Sequence, residues 1–171
     1  IYIANNKGLL EFNGAKWQLY PSPNESIFRS VNVVGDRIYT GCYMDFGYWQ
    51  RNEFGNLVYT SLSKQQKQTI IEDEQFWNII SFDDYVLFQS LNRIYIYNSK
   101  TEAYKIIASK HSITKIFKVN DIIYYHSTEE GIFKIENGTS KIISDDPIIK
   151  NNIIVNIFGM NDHLLIETQE N

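Results

Sequence analysis

Six residues have side chains and positions suited to binding a ligand. Five fall in segments that connect strand-like runs, and the sixth stands at the start of such a run, where a side chain can reach inward. Aromatic rings can stack on the apolar face of a sugar, while amide, carboxylate and guanidinium groups hydrogen-bond its hydroxyls. The residue types therefore suit an oligosaccharide or another small polar ligand, although the same residues also serve as solvated turn residues. The six are Asn6, Arg29, Tyr43, Asp45, Asn92 and Glu129.

The titratable residues do not form a catalytic or metal-ligating pattern. His111, His126 and His163 are far apart in sequence and lack the short spacing to a second ligand that metal sites use. Two carboxylate pairs, at 83–84 and 145–146, lie in turn-forming segments, where Asp is favoured for backbone reasons. No nucleophile elbow and no phosphate-cradling glycine loop is present. We therefore expect no catalytic activity, no metal and no cofactor.

The cysteine and the tryptophans have ordinary structural explanations. Cys42 is the single cysteine, so no internal disulfide can form, and we expect a small buried residue. Trp17, Trp49 and Trp77 each lie inside a strand-like run. We expect all three to pack between strands rather than to offer stacking platforms.

The elements that must position these residues repeat along the chain. The corner "VVGDRIYTG" at 33–41 returns as "SFDDYVLFQ", "KVNDIIYYH" and "GMNDHLLIE". Its marker residues Asp36, Asp84, Asp121 and Asp162 are 48, 37 and 41 residues apart, and apolar residues recur at matching positions around them. Gly-Asp, Asp-Asp and Asn-Asp pairs between short apolar runs predict antiparallel hairpins, and the spacing predicts a repeat architecture.

Each period continues with two further strand-like runs. Four short antiparallel strands in about 40 residues are typical of a β-propeller blade. The segment "KQQKQTIIEDEQ" at 64–75 carries the one helix-like signal and is predicted to be an insertion between blades. The predicted blades cover residues 1–21, 26–63, 76–109, 113–144 and 153–171, with three strands in the first and two in the last.

The sequence thus predicts one incomplete all-β domain over residues 1–171. Its fold is a partial β-propeller with about four blades of four antiparallel strands. The run "HLLIETQEN" would be surplus to a closed four-bladed ring, so we expect an arc of a larger propeller. Both ends resemble the middle of a strand, and we expect a longer parent protein.

The composition argues against two classes of partner. The net charge is −4 and no basic stripe is present, which does not favour nucleic-acid binding. No apolar stretch approaches the roughly 20 residues needed to cross a bilayer. We therefore expect membrane attachment only through segments outside this sequence.

The stretch "GLLEFNGAKWQLYPSPNESIFRSV", followed by "GDRIYTGCYMDFGYW", resembles a known repeat. It is similar to the two-component-regulator propeller repeat of Bacteroidetes-type sensor proteins: a hydrophobic strand, a small turn, then Gly with hydrophobic residues and an aromatic. The glycine falls on Gly8, Gly47 and Gly131, whereas "LNRIYIY" in the third blade lacks it. The likeness is good over residues 1–63 and weaker but periodic over 64–171.

The resemblance implies a function in signalling. In the most similar regulators the propeller precedes a triple-tyrosine immunoglobulin-like domain, a transmembrane helix and a LuxR-type DNA-binding or histidine-kinase region. The implied role is a periplasmic ectodomain of an inner-membrane regulator that senses a ligand, often glycan-derived in this group. Its implied partners are the downstream domains of the parent chain and a second copy. Two alternatives stay open: a protein-interaction propeller without a small ligand, and the non-catalytic part of a propeller enzyme.

Overall fold

The computed structural model describes residues 1–65 and 70–169. Short runs rich in Ile, Val, Tyr and Phe form antiparallel strands, as expected for side chains that pack well on a pleated surface. The chain divides into two compact units, Ile1–Ser81 and Phe82–Asn171.

The strands form five successive antiparallel sheets in the described residues. The first sheet contains β1 (Tyr2–Asn5), β2 (Gly8–Phe12) and β3 (Trp17–Pro21), and the second contains β4 (Ser30–Val34), β5 (Arg37–Gly41), β6 (Phe46–Arg51) and β7 (Leu57–Ser61). The third contains β8 (Asn78–Phe82), β9 (Tyr85–Gln89), β10 (Arg93–Asn98) and β11 (Tyr104–Ala108). The fourth contains β12 (Ile113–Val119), β13 (Ile122–Ser127), β14 (Gly131–Glu136) and β15 (Thr139–Ser144), and the fifth contains β16 (Ile154–Met160) and β17 (His163–Thr168).

In every sheet the neighbouring strands are consecutive in sequence. Three sheets therefore have the four-stranded meander of a propeller blade. The predicted fold class, an all-β partial propeller, is confirmed.

The repeated corners are two-residue hairpin turns. The pairs Val34↔Arg37, Val119↔Ile122 and Met160↔His163 each close such a turn. Asn120 and Asp121 both have positive φ, at 48° and 60°. Positive φ at both central residues matches the right-handed twist of the flanking strands, which is why short polar residues occupy these corners. The predicted hairpins are therefore confirmed at Asp36, Asp121 and Asp162.

Two clusters show how successive sheets bury one another. In the first unit, Leu9 of the first sheet packs with Ile38 and Trp49 of the second. In the second unit, Ile132 of the fourth sheet packs with Ile154 and Ile157 of the fifth. Burial of this apolar area, at about 25 cal/mol per Å², makes the two sheets that share each cluster depend on one another.

Two tryptophans differ from the sequence expectation. Trp49 is 5% exposed and packs as predicted, but Trp17 is 52% exposed and Trp77 is 42% exposed. The prediction that all three are packing residues was wrong for these two. Trp17 lies at the start of β3 against Phe12, and Trp77 directly precedes β8.

One short helix was not predicted. The helix α1 (Pro147–Asn151) begins after Asp146, whose Oδ1 accepts a hydrogen bond from the Ile148 amide at 2.8 Å. Asp146 is thus a helix N-cap and Pro147 takes the first helical position. In the predicted insertion at 64–75, Lys64 and Gln65 belong to a 3-10 turn, and residues 66–69 lie outside the described residues. No helix in the described part of the chain has the length and apolar character needed to span a membrane.

Candidate ligand-binding site

A segment preceding β8 lies beside the loop between β5 and β6. The Met44 amide donates to the Glu74 carbonyl at 2.8 Å, and the Phe76 amide donates to the Cys42 carbonyl at 3.2 Å. Tyr43 and Gln75 form an isolated antiparallel bridge between these hydrogen bonds. The backbone pairing therefore places residues 73–77 next to the predicted site residue Tyr43.

Arg29, the residue that precedes β4, contacts the same segment. Its amide donates to the Gly41 carbonyl at 2.8 Å, which fixes its backbone in the second sheet. Its side-chain Nε donates to Gln75 Oε1 at 3.0 Å, and its guanidinium carbon lies 4.8 Å from the centre of the Trp77 ring. This cation–π geometry orients the guanidinium and leaves much of the Trp77 ring in solvent.

Tyr43 completes an exposed cluster. Its hydroxyl donates to Asp73 Oδ1 at 2.7 Å, and the Asp73 hydrogen bond and charge raise the pKa of Tyr43. Tyr43 is 40% exposed, comparable to Trp77. We call Arg29, Tyr43, Asp73, Gln75 and Trp77 the Arg29 cluster. It combines two exposed rings with a guanidinium, an amide and a carboxylate, which are the groups that bind a polar ligand with an apolar face.

Asp45 lies close by in sequence but is buried. It is 3% exposed, and its Oδ1 accepts hydrogen bonds from the hydroxyls of Ser61 and Ser63. The Tyr59 hydroxyl is buried without a hydrogen-bond partner among the described residues; burial and the negative charge of Asp45 raise its pKa. The Asp45 carboxylate therefore has a structural role, because it hydrogen-bonds Ser61, the last residue of β7.

Asn6 is exposed in the turn between β1 and β2. The Asn5 carbonyl accepts a hydrogen bond from the Phe28 amide at 3.3 Å, and the Asn5 side chain accepts one from the Lys7 amide. The turn that carries Asn6 is therefore joined to the residues that immediately precede Arg29.

The other two predicted residues lie in loops of the second unit that are linked through Ser109 and His111. Asn92 is exposed, and its carbonyl accepts a hydrogen bond from the Ser109 amide at 2.9 Å. The hydroxyls of Ser109 and Ser127 are 2.8 Å apart, and both donate to Glu130 Oε2. Exposed Glu129 lies 3.4 Å from the His111 ring at the same loops.

Within residues 1–65 and 70–169, no three His, Cys, Asp or Glu side chains are grouped to hold a metal ion. His126 is fully buried, where Nδ1 lies 2.9 Å from Thr114 Oγ1 and Nε2 lies 2.9 Å from the Ile149 carbonyl. Because the carbonyl can only accept, Nε2 carries the proton and donates to it.

Sequence reasoning missed Asp73, Gln75 and Trp77 as members of the site. These residues follow the predicted insertion and have no repeat pattern of their own. The local sequence offers one signal: acidic and amide residues, which are typical of exposed segments, stand next to aromatic residues. Their position depends on the bridge between Tyr43 and Gln75, which joins residues 32 positions apart.

The chain resembles known proteins in its structure. No protein-family model matches the sequence. No curated protein matches it either. Solved structures do match, over nearly the whole chain.

Similar structures include the extracellular domain of BT4673 from B. thetaiotaomicron, described in one structure as a one-component system and in another as a hybrid two-component system. The TM-scores are 0.65 and 0.66 at 16% identity, over 98% of this chain and 23% of that one. Apo AztD from Citrobacter koseri matches with a TM-score of 0.63 at 11% identity, over 96% of this chain and 47% of its own. PorZ, a surface component of the type-IX secretion system of Porphyromonas gingivalis, matches with a TM-score of 0.57 at 13% identity, over 96% of this chain and 22% of its own.

The chain spans about a quarter of the length of the BT4673 domain. At these identities the matches show the fold, and they agree with the regulator-propeller resemblance drawn from the repeat. The chain is therefore similar in fold to part of the extracellular domain of a bacterial signalling regulator.

Proposed function

We propose that the chain is a sensing module of an extracytoplasmic ectodomain, belonging to a membrane-anchored signal-transduction or transcription regulator. In this proposal it has no catalytic activity, and it binds an oligosaccharide or a similar polar ligand at the Arg29 cluster. The fold likeness to a regulator's extracellular domain supports the role and the periplasmic location. The exposed rings of Tyr43 and Trp77 beside three polar side chains carry the ligand assignment.

The proposed ligand binding rests on complementarity between a sugar ring and the Arg29 cluster. A pyranose ring has an apolar face of C–H groups and an edge of hydroxyls. Trp77 offers ring area in solvent, while Gln75 and Arg29 are already oriented by their mutual hydrogen bond. Groups held in place before binding lose less conformational entropy on binding.

Three of the other four predicted residues extend this proposal, and buried Asp45 does not. Asn6 stands in the turn joined to the segment before Arg29, and Asn92 and Glu129 are exposed polar residues in loops of the second unit. Ligand binding would act as a signal through a differential affinity for two arrangements with the downstream domains or a second copy.

A protein-interaction propeller without a small ligand is the second candidate. Exposed apolar side chains on and beside the helix α1 favour it: Ile143 is 43% exposed, Ile148 66% and Ile153 52%. Such side chains are more typical of a surface that another protein covers.

The test is a thermal-shift screen of the chain against a panel of oligosaccharides, because a ligand that binds only the folded state must raise its stability. We expect at least one member of the panel to raise the Tm. A complete panel without a shift contradicts the ligand assignment and favours the interaction propeller.

Variants of two arginines with similar contacts show whether the ligand-induced shift arises at the Arg29 cluster. Arg29 lies over the Trp77 ring and Arg37 lies over the Tyr48 ring at 4.3 Å, so both make a cation–π contact in the first unit. We expect Arg29→Met to abolish the ligand-induced shift and Arg37→Met to retain it. Loss in both variants, or in neither, would place the ligand away from the Arg29 cluster.

A further inference from the structure

A cleft lies between the third and fourth sheets, within the second unit. It has a volume of about 430 Å³, in the range of small-molecule sites. It opens beside the turns that precede β9 and β13 and the turn that follows β14, at the strand ends opposite to those that carry Asn92 and Glu129.

The floor of the cleft is apolar. Leu87, Ile96 and Ile123 line it, and each is at least nine-tenths buried. Ile135 adds a half-buried wall. Such a floor favours an apolar body, because removing that body from water is worth about 25 cal/mol per Å².

Three of the four charged side chains that line the cleft form an ion pair with another described residue. Lys134 Nζ lies 3.0 Å from Glu136 Oε1, and Asp121 Oδ1 lies 3.6 Å from Lys118 Nζ. Lys105 Nζ donates to the Asn137 carbonyl at 2.8 Å. Among the described residues it has no carboxylate at ion-pair distance.

The turn at Asn137 and Gly138 holds this lysine at the rim. A Cβ atom at Gly138 would lie 2.4 Å from the Lys105 Cδ atom, so only glycine lets the lysine stem lie against the turn. Gly138 also has a positive φ of 73°. The Lys105 ammonium thus lies at the rim of the cleft, beside its apolar floor.

We propose that this cleft binds a small organic anion with an apolar body, such as an aromatic carboxylate or sulfonate. The apolar body fills the space over Leu87, Ile96 and Ile123, and the anionic group meets Lys105. A charge-assisted hydrogen bond of this kind is about twice as strong as a neutral one. This proposal does not depend on ligand binding at the Arg29 cluster or on the sensing role.

The test uses two fluorescent probes with the same apolar body. 8-Anilinonaphthalene-1-sulfonate carries an anionic group, and N-phenyl-1-naphthylamine lacks it. We expect saturable binding of the sulfonate to the folded chain, weakened about tenfold by Lys105→Met. The neutral probe should bind Lys105→Met and the unaltered chain equally. Lys110→Met, an exposed lysine outside the cleft, is the control and should leave both affinities unchanged.

A filling variant tests the cleft itself. Ile135→Trp should abolish the binding of both probes, with circular dichroism showing that the sheet content is kept. If that variant does not fold, Ile122→Phe fills the same cleft from its other wall. The proposal is overturned if the sulfonate does not bind saturably, if Lys105→Met weakens it no more than Lys110→Met does, or if a folded filling variant still binds.

Discussion

The Arg51 guanidinium forms an ion pair with the Glu11 carboxylate, joining β6 of the second sheet to β2 of the first. Glu11 also accepts hydrogen bonds from the hydroxyls of Tyr2 at 2.9 Å and Tyr20 at 2.8 Å. Although burial acts to raise the pKa of Glu11, the two tyrosine hydroxyls and Arg51 outweigh it and lower the pKa. The buried carboxylate therefore fastens two successive sheets of the first unit.

This ion pair predicts a specific pH dependence. Because the folded-state pKa of Glu11 lies below its ordinary value of 4.5, its contribution is complete above that value and is lost as the pH falls through the folded-state pKa. We expect Glu11→Gln to lower the free energy of unfolding by about 1–3 kcal/mol at pH 7 and by less in acid. Urea unfolding from pH 7 to pH 3 measures this. Glu53→Gln, an exposed carboxylate, is the control, and an equal pH profile in both variants would contradict the assignment.

Gly47 is required by a close approach of two strands. A Cβ atom at Gly47 would lie 2.1 Å from the Thr60 carbonyl oxygen, and one at Gly131 would lie 2.1 Å from that of Ser144. We expect Gly47→Ala to cost about 3 kcal/mol or more, the upper end for overpacking. Gly14→Ala has open space and should cost only the positive-φ penalty of about 1–2 kcal/mol. Equal losses in thermal unfolding would refute the steric explanation.

Buried His126 should make the second unit sensitive to mild acid. Burial lowers its pKa below the ordinary value of 6.5, while the hydrogen bond to Ile149 acts in the opposite direction. A depressed folded-state pKa means that stability is complete above pH 6.5 and falls as the pH drops through the folded-state pKa. We expect His126→Gln to remove this component of the Tm profile between pH 7 and pH 5. His163→Gln, an exposed histidine, should keep the parent profile, and a flat parent profile would argue against the prediction.

Cys42 should be inert in the folded chain. It is fully buried, and burial raises the pKa of its thiol to about 11. Relative to a pKa of 9.0 the thiolate fraction falls roughly 100-fold, and the buried sulfur also excludes reagents. We expect labelling by a disulfide reagent at pH 8 to be at least 100-fold slower in buffer than in concentrated urea. Rapid labelling in buffer would mean that the core around Trp49 opens readily.

The sequence carried more information about the sheets than about the site. Turn pairs such as Asn120-Asp121 and the alternating Ile, Val and Tyr runs depend on local backbone preferences, so hairpins could be predicted from short stretches. The helix α1 was missed although Asp146-Pro147 is a start signal, because five residues carry no 3.6-residue periodicity. Only Arg29 and Tyr43 of the five residues in the Arg29 cluster were predicted, since Gln75 and Trp77 reach Tyr43 through a non-local backbone bridge.

The most direct test of the sensing proposal is calorimetry with the oligosaccharide that gives the largest thermal shift. Trp77 and Trp17 are both exposed tryptophans of the first unit, and only Trp77 belongs to the Arg29 cluster. We predict that Trp77→Ala weakens binding by at least about tenfold, as expected for a stacking anchor, whereas Trp17→Ala changes the Kd less than about twofold. Equal affinities in the two variants would contradict ligand binding at the Arg29 cluster.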